Sequence, residues 1–247
     1  MPCDDACCCC FSSAPPQNSK SGKGVMYAKF HNYNNNWDIR LCDAPCEAPC
    51  CCCIGCLPCS WCCVQYTMRK RVLEAQQPGS GLQNYQCGQG YLPKCCCGLW
   101  NPGRCGCCGC YESSCPTCCL CLEACICPGL VITGSRLLAM DMYQIQPDPC
   151  DNRLIRFNNC IQCLACICHI LAIVNDSFRD CAAIIDCIAD VVFFSTAGCM
   201  VAQLNRELIV RKAAGGSPAA PDVIIEEAPK LEGLAEAPKG DVITDRS

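Results

Sequence analysis

Residues 41–64, LCDAPCEAPCCCCIGCLPCSWCCV, constrain this chain more than any other stretch. Ten cysteines (Cys42, Cys46, Cys50, Cys51, Cys52, Cys53, Cys56, Cys59, Cys62 and Cys63) fall within it. From Cys53 the sulfurs recur every third residue (Cys53, Cys56, Cys59, Cys62), the C-x-x-C spacing at which two thiolates can grip one metal ion. Pro45, Pro49 and Pro58 each remove a backbone donor and disfavour a helical residue before them, so the front of the stretch is expected to be a folded-back loop. Its chemistry is sulfur chemistry in one of four forms: metal thiolate, disulfide, thioester lipid, or apolar packing.

The whole chain holds 37 cysteines in 247 residues, beyond the ~8–10% that marks disulfide scaffolds in short secreted chains. Yet the start, MPCDDACCCCFSS, has neither a basic n-region nor a long apolar run, which predicts no secretory signal and a reducing cytosol around these thiols. An odd number of cysteines also leaves one unpaired under complete intramolecular pairing. Seven acids against three bases place the whole net charge of −4 in residues 213–247. The near-neutral body lacks the clustered basic surface that nucleic acid requires. There is no HExxH, P-loop, GxGxxG or GxSxG, and His31 and His169 are widely separated. The expectation is a non-enzymatic protein with no small-molecule substrate.

Three regions follow from composition. Residues 1–36 read as an extended arm, in which Cys7, Cys8, Cys9 and Cys10 beside Phe11 are either an S-acylation site or a flexible tip with reduced thiols. Residues 37–212 form a cysteine-rich helical domain. Residues 213–247 form an acidic Pro/Gly-rich tail, too polar to fold alone. Inside the domain, residues 64–77 predict a helix stopped by Pro78-Gly79, with Arg69, Lys70 and Arg71 either a basic cluster drawn to a cytosolic membrane face or a solvated helix face, the commoner case. Glycines interleaved with cysteines make residues 78–114 irregular, either a metal or disulfide knot or a low-complexity insert. Three apolar segments with helical periodicity follow: 115–143, split at Pro128-Gly129; 153–174, after an Asp151 or Asn152 cap; and 178–210. Their longest uncharged runs, read as 160–174 and 191–204, fall short of the about 20 residues of a membrane span. They predict a packed helical core, or helices lying in a membrane interface. Cys160, Cys163, Cys166 and Cys168 share a face expected to pack as small hydrophobes, and Asp186 and Asp190 a solvated stripe. The expected fold is mainly α: an irregular cysteine-rich N-terminal half packed on about three apolar helices, between disordered-looking tails.

Cys56, Cys59, Cys118 and Cys121 make two C-x-x-C pairs suited to one zinc ion if the core brings them together. Reduced thiols packed as apolar groups are the alternative.

Taken in order, Trp37, Leu41-Cys42-Asp43, Cys56-Leu57-Pro58-Cys59, Arg136, Tyr143-x-Ile145-x-Pro147-Asp148-Pro149-Cys150-Asp151 and Cys160-x-x-Cys163 resemble the cysteine-rich placenta-specific-eight-type domain. That family includes plant cell-number regulators, cadmium-resistance proteins and cornifelin. The run CCLCLEACICPGLVITGSRLLAMD with PDPCDNRLIRFNNCIQCLACIC is more similar still to the Ama group of cysteine-rich protist proteins. The resemblance spans residues 37–210 and implies a small, often membrane-associated protein linked to growth control or heavy-metal handling, with no catalytic residue. The expected role is a membrane-associated or scaffolding protein on the cytosolic side, partnered by a membrane surface or a protein assembly. The alternatives are a structural component of a ciliary or flagellar cytoskeleton, and zinc or cadmium binding or export.

Overall fold

The computed structural model describes residues 30–91 and 112–215. The described residues are mainly α-helical and contain no strand, only one bridge between Asn35 and Ile145. Seven helices lie wholly within them: α1 (Ala44–Glu47), α2 (Pro49–Cys56), α3 (Trp61–Gln76), α4 (Pro116–Ile126), α5 (Pro128–Tyr143), α6 (Pro149–Val174) and α7 (Arg179–Ala213). Nearly all of the arm, most of the Gly/Cys-rich insert and nearly all of the acidic tail fall outside the described residues.

Proline sets where these helices begin. Pro49, Pro116, Pro128 and Pro149 each open a helix, and Pro45 is the second residue of α1. The first helical position has no intrahelical partner for its N–H, so proline loses nothing there and its fixed φ favours the turn. The front of the cysteine-dense stretch is accordingly not one helix, as its prolines require, but it is broken into short helices rather than a loop. The stretch is α1, α2, a 3-10 turn at Pro58–Ser60, and the start of α3. The three apolar segments give four helices, because the split expected at Pro128-Gly129 divides the first of them into α4 and α5. Two proline elbows result: α2 meets the Pro58–Gln76 segment at 82°, and α4 meets α5 at 117°.

Helix α5 is the centre of the body. Val131, Ile132, Leu138, Ala139 and Met142 on it are all buried, as expected of a helix covered on several sides. It packs on α3, which contributes Trp61, Met68, Val72 and Leu73, and on Leu204 and Leu208 of α7. Helix α2 crosses α7 closely enough that a β-carbon on Gly55 would stand 2.9 Å from the Gly198 Cα. Cys52 Sγ lies 3.7 Å from Cys199 Sγ at this crossing. Only glycine permits that approach.

The basic triplet separates as 100° per residue dictates. Lys70 faces solvent, Arg71 reaches the Asn205 side chain, and Arg69 is wholly buried. It is not one solvated face.

Candidate membrane-facing site

Helices α6 and α7 form an antiparallel hairpin joined by Asn175 and a single 3-10 turn, Asp176–Phe178. Past the body its arms pack mainly on each other, through Ala165 and Cys168 of α6 and Ala182 and Ala189 of α7, all buried. Gln162 Nε2 donates to the Ala189 carbonyl at 2.9 Å, and His169 Nε2 lies 2.5 Å from Asp186 Oδ2. Small residues let two helix backbones approach closely where no third element helps. Elsewhere the hairpin is uncovered. Ile167, Ile170, Leu171, Ile173, Val174, Phe178, Ile184, Ile188 and Val191 are exposed, and only 6% of the most apolar window of α6 is buried.

Both helices are long and apolar enough to cross a membrane, which corrects the estimate from run length. Asn158 and Asn159 are polar but uncharged, so the charge-free part of α6 extends from 157 to the helix end at 174. At 1.5 Å per residue those 18 residues measure about 27 Å, against about 30 Å of bilayer hydrocarbon. The expected core packing of Cys163 and Cys166 does not occur either, since both are exposed.

The hairpin base is fixed by a buried polar cluster. The Asp148 carboxylate caps α6, accepting from the Cys150 and Asp151 amides, which frees Asp151 from the capping role expected of it. Asp151 turns inward, accepting from Leu41 N at 2.9 Å through Oδ1 and from Gln203 Nε2 at 2.8 Å through Oδ2. Arg136 Nη2 stands 3.2 Å from the same Oδ2, and Nη1 donates to Gln203 Oε1. The guanidinium also lies 4.7 Å over the Trp37 ring, while Gln203 Nε2 donates to the Ile39 carbonyl at 2.9 Å. Trp37, Leu41, Arg136 and Asp151 thus meet at one point where α5, α6, α7 and the segment before α1 join.

A second buried cluster braces the opposite side of α5. Arg69 donates to Gln89 Oε1 and to the Val131 carbonyl, each at 2.9 Å, and Glu123 accepts from Tyr85 Oη at 2.8 Å and Gly88 N at 3.0 Å. Tyr91 Oη donates to Asp141 at 2.7 Å. Burial first, and then the Glu123 carboxylate, push the Tyr85 phenol far above its usual range; burial and Asp141 do the same to Tyr91.

The two elbows stand together where the hairpin leaves the body. The Trp61 ring contacts Phe193 and Phe194 at 5.8 and 5.9 Å between centroids. The Cys62 thiol hydrogen-bonds Cys125, and a β-carbon at Gly129 would sit 3.5 Å from the Phe193 ring.

Of the proposed zinc ligands, Cys56 points into the α2–α7 crossing, where a β-carbon on Gly198 would clash with its sulfur, and is in contact with Cys52. Cys59 is exposed in the first elbow, and Cys118 and Cys121 are exposed on α4. Among the described residues no three His, Cys, Asp or Glu side chains are arranged to hold a metal ion. Cys7, Cys8, Cys9 and Cys10 lie outside the described residues. The Asp186–His169 pair was missed because the two residues meet only once the hairpin closes; Asp190 remains exposed.

No protein-family model, curated protein or solved structure matches this chain.

Proposed function

We propose that this is a non-enzymatic membrane protein, held in the bilayer by the α6–α7 hairpin, with its cysteine-rich body on the cytosolic face. The observation that carries the reading is the uncovered apolar face of α6, where Leu164, Ile167, Ile170, Leu171, Ile173 and Val174 are all exposed. Exposed apolar area of this extent marks an interaction surface, and its length matches a bilayer. The charges agree in direction. Arg153 and Arg156 stand at the body end of α6, while Asp176 and Asp180 outnumber Arg179 at the tip, and basic residues favour the cytosolic side of a span.

Asp180, Asp186 and Asp190 favour a second reading, in which the hairpin packs among protein helices of a ciliary or flagellar scaffold. An aspartate at the centre of a span costs about 2.5–3.5 kcal/mol on insertion scales. Pairing of Asp186 with His169 lowers that cost, and Asp180 lies one turn from the tip.

Fractionation decides between the two. The membrane reading expects the protein to resist alkaline carbonate, to dissolve in mild detergent, and to become carbonate-extractable in the variant Ile170→Lys/Ile173→Lys/Ile184→Lys, whose positions are exposed and leave the body intact. A detergent-insoluble pellet that retains the triple variant would establish the scaffold reading instead.

A further inference from the structure

Among the described residues, large exposed hydrophobic side chains away from the hairpin are few, and they are not scattered. Of Ile54, Leu57, Ile126 and Ile209, the first three lie on the two proline elbows. The same elbows carry exposed thiols: Cys53, Cys59 and Cys63 around the first, Cys121 and Cys125 on the helix entering the second. Contacts of Trp61 and Gly129 with Phe193 place both elbows at one level of α7. Phe193 is 14 residues from Arg179, about 21 Å along the helix. With the hairpin tip at the far interface of a bilayer about 30 Å thick, that distance brings both elbows into the near leaflet.

We propose that the two elbows are S-acylation sites, taking long-chain fatty acyl groups on Cys59 and Cys63 at one and on Cys121 and Cys125 at the other, with Cys53 as an adjoining acceptor. The proposal rests on the hairpin being in the membrane. The donor is a long-chain acyl-CoA. A cysteine sulfur adds to its thioester carbonyl, the new sulfur–acyl bond replaces the one to coenzyme A, and the thiol proton leaves on the released coenzyme A thiol. No oxidant or reductant is consumed. Cys53 adjoins Ile54, Cys59 is two residues from Leu57 and Cys125 adjoins Ile126, all of them exposed, so an acyl chain on these thiols enters the leaflet at the elbows. Two or more chains give stable anchoring where one gives reversible binding, so acylation would add a second hold independent of the hairpin.

The test uses the full-length protein from carbonate-washed membranes. Free thiols are blocked with N-ethylmaleimide, thioesters are cleaved with neutral hydroxylamine, and the released cysteines are tagged and mapped by peptide mass spectrometry. Hydroxylamine-dependent tags are expected on at least one cysteine of each elbow and are lost in the variant with Cys53, Cys59, Cys63, Cys121 and Cys125 all changed to Ser. That variant should remain carbonate-resistant through its hairpin. If the wild-type protein is in the washed membranes but all five thiols react with N-ethylmaleimide before hydroxylamine, the acylation proposal is wrong while the membrane reading survives. Wild-type protein missing from the washed membranes would overturn both.

Discussion

At the scale of single residues, the most consequential interaction is the Arg136–Asp151 pair. Both side chains are almost wholly buried, and a buried charge is tolerated only with its partner and its hydrogen bonds in place. Changing Asp151 to Ala strands the guanidinium and should cost about 3–5 kcal/mol, read as a fall in the thermal unfolding midpoint of detergent-solubilised protein. The double variant Arg136→Met/Asp151→Leu should lose less than either single change, because no uncompensated charge is left; a strictly additive loss would show that the pair is not coupled. Tyr85 and Tyr91 give a pH dependence of definite sign. Their folded pKa values are raised above the ordinary value of 10.0, so the folded state holds these protons more tightly than the unfolded one. The stability they contribute is complete below about pH 10 and declines as pH rises beyond it. Denaturant midpoints should therefore fall above that pH in the wild type and less in Tyr85→Phe/Tyr91→Phe. Equal slopes in the two proteins would contradict this.

At the scale of elements, the α2–α7 crossing depends on Gly198. A β-carbon there would lie 2.6 Å from the Cys52 carbonyl oxygen and would also clash with the Cys56 sulfur. Gly198→Ala should destabilise by about 1–3 kcal/mol through overpacking. Cys56→Ala should restore only part of the loss, since the carbonyl cannot move without the helix. Gly129→Ala is the control: its β-carbon meets only the Phe193 ring at 3.5 Å, so the change should leave the thermal midpoint the same or slightly higher. The existence of these helices was legible from periodicity, and α3 begins and ends close to where its composition and Pro78-Gly79 put it. The starts were harder. A proline reads equally as a loop residue or a first helical position until the residues after it are known to be covered, so the sequence alone leaves the start of α2 and the cap of α6 open. Tertiary pairs were not legible at all. Nothing local in the sequence says that Asp151 meets Gln203, that Asp186 meets His169, or that Arg69 leaves its basic neighbours to enter the core.

At the scale of the whole molecule, the described residues keep their buried polar clusters in the body and most of their exposed large hydrophobics on the hairpin. Buried ion pairs, tyrosines and the Asn35–Ile145 bridge hold together the end that carries the chain's entry and the turn after α5. The uncovered isoleucines and the exposed thiols of both elbows gather around the hairpin. Sequence composition could place the body near a membrane but could not say which residues face it, because the same cysteines and isoleucines serve as core and as surface. The most direct measurement is photolabelling of the membrane-bound protein with a lipid whose acyl chain carries a diazirine, followed by peptide mapping. The hairpin account predicts labels on residues 157–174 of α6 and on the tip-side half of α7, with α5 and the buried part of α3 unlabelled. Labelling that spares the hairpin while the protein remains in the membrane would contradict it.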